Sequence, residues 1–342
     1  MKYPRPLQHG STIAITAFSA GIAKQHLARF QVVRENLLSA GFNVIAGECL
    51  YGQTKHVSAP ARQRADELMS FLLDDNIDAI YPPWGGEIAI ELLPLLDFEQ
   101  LQKVRPKWIL GFSDISTMTA VLTAKLGWAT VHCSNLMDLT PKATDPLTSH
   151  TLKHLATATG ESFTQTATTS YATDWPDFVT DPTAGFRTDQ PTRWQWLVKP
   201  HTGTSIQGRL IGGCWDTMIH LFDTPFLDLK MLAKAYPEGL LLYLENAEMS
   251  PPALVRAIHN MKFRGVFSVI NGLLLGRSAA AKPLSEQSLH YHEVLSQYLT
   301  DLGIPVIIDM DIGHQPPNLT LINGATATVR AGENAVLHQT LN

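Results

Sequence analysis

The first half of the chain alternates short apolar runs with amphipathic segments, a pattern typical of a parallel α/β sheet. Apolar runs at 12–17, 42–46 and 77–81 predict strands, and helical spacing predicts helices over 27–38 and 61–75. A shorter helix over about 87–96 leads to the apolar run before Ser113. Because the carboxyl ends of parallel strands meet at one edge of a sheet, we expect a binding crevice there.

The second half predicts another α/β domain with a β-rich tail. Strands are predicted at 239–244, 269–275 and 305–312, helices at 252–263 and 286–302, and antiparallel strands within 318–341. Residues 161–204 are rich in Thr, Asp, Pro and Trp and have little periodicity, which predicts a linker and a long loop. The predicted organisation is an N-terminal Rossmann-like domain over 1–160 and a C-terminal domain over 205–342.

The composition indicates a globular protein without a nucleic-acid or membrane partner. The 342 residues are 45% hydrophobic and 17% charged, and a net charge of -5 is unlike that of a nucleic-acid binder. No apolar run approaches the roughly 18 residues that span a bilayer, and residues 1–11 do not resemble a signal peptide. Cys49, Cys133 and Cys214 are far apart and are predicted to be reduced, which favours the cytoplasm.

A serine lies where a predicted strand passes into a predicted helix. The apolar run 107–112 contains Gly111, and apolar residues at helical spacing follow Ser113 as far as Leu126. Free N–H groups and the helix dipole favour negative charge at such a position, as a nucleophile and its oxyanion hole require. An ordinary helix-capping serine or aspartate is the alternative.

A serine nucleophile needs a base and a group that orients the base. Glu245 directly follows one predicted strand, and His314 follows Gly313 at the end of another. His132 is the nearest rival as the base, and a glutamate at a strand end is also commonly a surface residue. The spacing alone leaves these alternatives open.

The sequence patterns for metal and phosphate binding are weaker than the pattern of serine, glutamate and histidine. The sequence contains neither CxxC nor HExxH, although Asp309, Asp311 and His314 are an alternative set of ion ligands. The Gly85-Gly86 pair lacks the lysine and the third glycine of phosphate-binding loops. Ile115 also stands where the GxSxG elbow of α/β-hydrolases has its last glycine. We therefore expect no metal and no organic cofactor.

Four segments together resemble the LD-carboxypeptidase family of serine peptidases, which includes muropeptide LD-carboxypeptidases and microcin C immunity proteins. They are Trp84-Gly85-Gly86, Gly111-Phe112-Ser113-Asp114-Ile115-Ser116, Leu244-Glu245-Asn246, and Gly313-His314 with Asn318-Leu319-Thr320-Leu321. The segments occur in the family's order and extend over nearly the whole chain.

The resemblance implies a serine peptidase or amidase that cleaves an amide bond near the end of a small peptide or peptide conjugate. It assigns Ser113 as nucleophile, His314 as general base and Glu245 as its orienting group. The backbone N–H groups of Gly86 and Asp114 would form the oxyanion hole. The resemblance also implies a homodimer. A non-catalytic small-ligand-binding protein on the same scaffold is the alternative of another class.

Two substrate classes are compatible with this resemblance: a cell-wall tetrapeptide that loses D-alanine, and a peptidyl or aminoacyl nucleotide. Trp175, Trp194 and Trp196 either anchor the middle segment or provide a stacking surface for a nucleotide base. A cationic pocket for a free carboxylate would favour the cell-wall peptide, and Arg187, Arg193 and Lys199 lie in the same segment.

Further candidate substrate contacts lie next to the predicted catalytic residues. Trp84 and Gly85 precede the predicted oxyanion glycine, and Glu87 follows it, either to meet a cationic substrate group or to begin a helix. Cys214 stands where the immunity proteins carry an asparagine, so their ligand contacts do not transfer directly to this chain.

Overall fold

Four parallel strands form the N-terminal sheet. The computed structural model describes residues 1–283, 285 and 287–342. The elements of this half are β1 (Thr12–Ile15), α1 (Leu27–Ser39), β2 (Asn43–Ala46), α2 (Ala61–Leu73), β3 (Ala79–Ile80), α3 (Phe98–Leu101), β4 (Trp108–Ile109) and α4 (Ser116–Leu126). The strand order is β2-β1-β3-β4, and every neighbouring pair is parallel. The predicted Rossmann-like α/β class is therefore confirmed.

A larger mixed sheet dominates the second half. Its strands are β6 (Ser162–Thr166), β9 (Gln195–Val198), β10 (Ile206–Cys214), β11 (Leu240–Glu245), β12 (Ile270–Gly276), β13 (Val306–Met310), β15 (Thr326–Arg330) and β16 (Val336–Thr340). Their order is β6-β16-β15-β10-β11-β12-β13-β9, with β10 to β13 parallel. All six residues of β11 are buried, as expected of a central parallel strand covered on both faces.

The remaining elements connect and cover these sheets. Short antiparallel pairs join β5 (Thr130–His132) to β14 (Leu321–Asn323), and β7 (Ser170–Tyr171) to β8 (Gln190–Pro191). The other α-helices are α5 (Pro146–Ser149), α6 (Thr151–His154), α7 (Trp215–Met218), α8 (Leu229–Ala235), α9 (Pro251–Phe263) and α10 (Tyr291–Leu299). The 3-10 helices are Lys24–His26, Glu48–Leu50, Ala89–Leu95, Ser113–Ile115, Leu136–Asp138, Val266–Val269 and Thr300–Leu302.

The middle segment departs from its prediction. Residues 161–204 were predicted to form a linker and long loop. Residues 172–189 have no helix or strand, but β6 and β7 precede them and β8 and β9 follow them. β6 pairs with β16 at one edge of the large sheet, and β9 pairs with β13 at the other. Edge strands bury fewer side chains, so β6 and β9 lack the continuous apolar run of a strand such as β11. The domain limits at 160 and 205 stay a prediction.

The other predicted elements differ from the observed ones mainly in their bounds. The predicted helix at 87–96 is the 3-10 helix Ala89–Leu95, which contains Pro94. The predicted helix 286–302 starts at Glu286, which lies outside the described residues; the helix observed there is α10, with a 3-10 turn after it. No helix among the described residues is both long and apolar enough to cross a membrane.

Candidate active site

Ser113 occupies a strained turn directly after the N-terminal sheet. The chain leaves β4 through Gly111 and enters the 3-10 helix Ser113–Ile115, which continues into α4. Ser113 has a φ of 66°, in the left-handed region that a residue with a side chain seldom adopts. The N–H of Phe112 donates to Oδ1 of Asn135 at 3.0 Å and helps to fix the turn. Such strain commonly accompanies functional sites.

The large sheet supplies an imidazole and a carboxylate to this serine. Nε2 of His314 lies 3.0 Å from Oγ of Ser113, and Nδ1 lies 2.8 Å from Oε2 of Glu245. Glu245 is the last residue of β11, and His314 follows β13, so both groups lie at the carboxyl edge of the parallel strands. The three predicted catalytic residues therefore form one continuous hydrogen-bonded chain.

Two glycines allow the backbone to approach these side chains. A Cβ atom added at Gly85 would lie 2.7 Å from the backbone N of Asp114 and 2.9 Å from Oγ of Ser113. A Cβ atom at Gly313, whose φ is 105°, would lie 2.7 Å from Cβ of Glu245. Any side chain at either position would have to displace a member of the chain of hydrogen bonds.

The protonation of His314 depends on its carboxylate neighbours. Burial alone would lower the pKa of His314, but the carboxylate of Glu245, with smaller effects from Asp216 and Glu248, raises it above the ordinary histidine value. Burial alone would likewise raise the pKa of Glu245, yet its interactions with His314 lower it. The imidazolium form is thus favoured beside a carboxylate that stays ionised.

His132, the rival base, lies elsewhere in the interior. It is fully buried, and burial lowers its pKa to about 4. Its ring contacts those of Phe112 and Tyr243, and neither of its nitrogens has a hydrogen-bond partner among the described residues. The structure therefore brings His314, not His132, to Ser113.

The predicted oxyanion residues border the same turn. The Asp114 carboxylate accepts hydrogen bonds from Ser19 Oγ at 2.6 Å, from the Ala89 N–H at 2.7 Å and from Thr117 Oγ1 at 3.0 Å. This buried carboxylate ties the serine turn to the segment that contains Gly86. The side chain of Asp114 is thus structural, and its backbone N–H is beside Gly85 and Ser113.

Two cavities flank Ser113. The first, which we call the acidic pocket, has a volume of about 210 Å³ and is lined by Glu87, Asp216 and Glu248 together with Cys214 and His220. The second, which we call the aromatic cleft, has a volume of about 270 Å³; its aromatic lining residues are Trp84, Phe112, Trp175 and Phe178. Ser113 and His314 line both cavities, so a substrate bound across them would pass the hydroxyl.

The three tryptophans of the middle segment have different positions. Trp175 is 40% exposed, stacks on Phe112 and donates its indole N–H to the His314 carbonyl at 3.3 Å. Trp194 is buried and donates to Asp311, so it anchors the segment. Trp196 lies in β9, paired with Ile307. The expectation of a stacking surface thus applies to Trp175, and Trp194 and Trp196 do not line either cavity.

The contacts of the remaining charged candidates show which of them lie near Ser113. Glu87 lies in the acidic pocket, 3.0 Å from Nδ1 of His56. Asp309 lies 3.0 Å from His292, and Asp311 pairs with Arg277 at 2.9 Å, so the alternative ion site with His314 does not form. The middle-segment cations line neither cavity beside Ser113; these are Arg187, Arg193 and Lys199.

Sequence reasoning missed the carboxylate of Asp216. It accepts hydrogen bonds from the N–H groups of Ala247, Glu248 and Met249, at 2.9, 2.9 and 3.1 Å, and so orders the segment after Glu245. Cys214 is the last residue of β10, and Asp216 follows it by two residues. A carboxylate at the end of a strand is the same sequence pattern that identified Glu245 as a candidate. Phe112, which packs edge-on against the His314 ring, was also missed.

Comparison with known proteins agrees with this architecture. The family model of the LD-carboxypeptidase N-terminal domain matches residues 13–133, and that of the C-terminal domain matches residues 207–329. The chain therefore belongs to the LD-carboxypeptidase family. Because carboxypeptidases are hydrolases, membership of this family indicates that the chain is a hydrolase.

Individual relatives come from both branches of the family. The microcin C7 self-immunity protein of Escherichia coli is 26% identical over 95% of this chain and 92% of its own. A Bacillus subtilis protein named a probable murein peptide carboxypeptidase is 24% identical over 98% of this chain and 93% of its own. The crystal structure of a microcin-immunity-like protein from Streptococcus pneumoniae in complex with AMP has a TM-score of 0.78 at 28% identity, covering 97% of this chain and 99% of that one.

Proposed function

We propose that this protein is a serine hydrolase that cleaves an amide bond near the end of a small peptide or peptide conjugate. The observation that supports this function best is the hydrogen-bonded chain from Ser113 through His314 to Glu245, at the junction of two cavities. A mere ligand-binding protein would not need a serine in a strained turn beside an oriented imidazole.

In this mechanism Ser113 attacks the scissile carbonyl and His314 accepts its proton at Nε2. The ionised Glu245 holds the Nδ1–H tautomer and stabilises the imidazolium that forms. His314 then returns the proton to the leaving amine, and a water molecule hydrolyses the acyl-enzyme with His314 again as base. The N–H groups of Gly86 and Asp114 would stabilise the oxyanion, a contribution of about 3 kcal/mol per donor in other serine enzymes.

The acid limb of the pH–rate profile tests the identity of the base. Only neutral His314 accepts a proton, so kcat/KM should rise with pH through the pKa of His314, which lies above the ordinary value of about 6.5. Glu245→Gln should move this limb to lower pH, since the carboxylate stabilises the imidazolium, and should reduce kcat by about 10⁴-fold. A limb near pH 4 would instead identify His132 as the base.

A second candidate substrate class is favoured by the aromatic cleft. Trp175 offers an accessible indole face beside the nucleophile, and base–aromatic stacking contributes about 1–3 kcal/mol. Neither cavity is lined by a lysine or arginine among the described residues, so neither the terminal carboxylate of a muropeptide nor the phosphoryl group of a nucleotide has a cationic partner there. The aromatic lining, and not the charge, distinguishes the two substrates. We therefore favour a peptidyl or aminoacyl nucleotide over a cell-wall tetrapeptide.

A paired cleavage assay distinguishes the two substrates. The purified protein is incubated with a tetrapeptide ending in D-alanine and with an aminoacyl-adenylate mimic that keeps an amide bond, and products are identified by mass spectrometry. Trp175→Ala should raise KM for the nucleotide substrate about tenfold, the equivalent of 1.4 kcal/mol of lost stacking. Trp196→Ala, in the same segment but outside the cleft, should leave KM unchanged. Serine-dependent release of D-alanine alone would reject the nucleotide substrate.

A further inference from the structure

Cys214 lies against the catalytic carboxylate and imidazole. It is the last residue of β10 and pairs in register with Glu245, the last residue of β11. Cys214 Sγ, one carboxylate oxygen of Glu245 and one ring nitrogen of His314 all lie within 4.8 Å of one another. Thiolate, imidazole and carboxylate are the ligands that Zn²⁺ takes in proteins, and small side-chain shifts would bring them to coordination distance.

The second oxygen of Glu245 is the independent indication that an ion fits here. Oε2 accepts the hydrogen bond of His314, but Oε1 is fully buried and has no hydrogen-bond partner among the described residues. An acceptor left without a donor in the interior destabilises a fold. A cation next to Oε1 would satisfy this acceptor.

The surroundings provide charge and access for a cation. Oδ2 of Asp216 lies 3.8 Å from Sγ of Cys214, and both residues line the acidic pocket. The pocket leads from the protein surface to Ser113 and is large enough for several water molecules. A thiol among the donors selects soft ions such as Zn²⁺ over Mg²⁺ or Ca²⁺.

We propose that Cys214, Glu245 and His314 bind a soft divalent cation such as Zn²⁺, and that the bound ion inactivates the hydrolase. On binding, the thiol of Cys214 releases its proton to solvent, and His314 binds as the neutral imidazole after any imidazolium has also released a ring proton to solvent. Each residue then donates a lone pair to the ion, and nothing is oxidised or reduced. The imidazole lone pair and the carboxylate are then held by the ion, so His314 can no longer accept the proton of Ser113. The inactivation rests on the proposed function, whereas the binding does not.

Cobalt(II) absorption tests the binding without any substrate. Co²⁺ added to EDTA-treated, desalted protein should produce a thiolate-to-cobalt charge-transfer band in the near ultraviolet at one equivalent, and Zn²⁺ should abolish the band. Cys214→Ala should lose it. Cys133→Ala removes another fully buried thiol and should retain it. If Cys214→Ala does not fold, Cys214→Ser replaces it, and a Zn²⁺-induced rise in Tm that is absent from the variant gives a second readout. No band in the parent protein, or a band in the variant, overturns the proposal.

A zinc titration of the activity tests the inactivation. At free Zn²⁺ ten times the dissociation constant, about 90% of the activity should be lost, and EDTA should restore it. The rate of each variant in Zn²⁺ is compared with its own rate in EDTA. Cys214→Ala should lose the inhibition by Zn²⁺, whereas Cys133→Ala should keep it. Equal inhibition of Cys214→Ala, or activation by Zn²⁺, contradicts the inactivation. If no substrate is cleaved, the proposed function fails, but the cobalt band still decides whether the ion binds.

Discussion

Replacing Ser113 by alanine or by glycine should abolish amide hydrolysis, and the two variants should differ in stability. Loss of the nucleophile of a serine triad lowers kcat by about 10⁶-fold. Alanine keeps the left-handed φ of 66° with its Cβ atom, whereas glycine removes the associated strain of about 1–2 kcal/mol. After allowance for the greater entropy of unfolded glycine, Ser113→Gly should be about 1 kcal/mol more stable than Ser113→Ala.

Steady-state kinetics and urea unfolding of the two variants check this expectation. Unchanged circular dichroism would establish that the loss of activity is not a loss of fold. Retention of activity by either variant would remove Ser113 from the mechanism. Equal stabilities would show that the turn holds no strain at this residue.

Gly313→Ala should inactivate the protein through Glu245 rather than through unfolding. The added Cβ atom would lie 2.7 Å from Cβ of Glu245, so the carboxylate or the chain that carries His314 must move. A displacement of about 1 Å from productive geometry lowers catalysis by about 10²-fold. We therefore expect kcat to fall at least by this factor while KM changes little.

Gly332→Ala is the matched control for this variant. Gly332 has a φ of 100°, close to the 105° of Gly313, and a Cβ atom there meets no described atom within 4 Å. Both variants should therefore share a backbone destabilisation of about 1–2 kcal/mol, and thermal unfolding should show a further loss only in Gly313→Ala, where the Cβ atom overlaps Glu245. If Gly332→Ala loses as much activity as Gly313→Ala, general destabilisation and not the contact with Glu245 is responsible.

Local pattern was sufficient to predict the elements that carry the site. The apolar run before Ser113, the helical spacing after it, and the strands before Glu245 and His314 depend on a periodicity of a few residues. Positions at strand ends then followed from the geometry of parallel sheets. The predicted long loop of the middle segment is present over 172–189, but the strands on either side of it were not predicted. β6 and β9 are edge strands, which form through pairing with distant partners and not through their own sequence.

The sequence by itself determined the α/β class and the positions of Ser113, Glu245 and His314 at element ends, because secondary structure and turns depend on neighbouring residues. Spacing along the chain left His132 open as the base, and the family resemblance assigned His314. Only the tertiary structure decided the contact of His314 with Ser113, since the contacts join residues 69 and 201 positions apart. It also decided that Trp175 alone of the three tryptophans in residues 161–204 enters the cleft, and that Cys214 lies beside Glu245. Such contacts depend on strand order and register, which are set by packing of the whole chain and not by any local pattern.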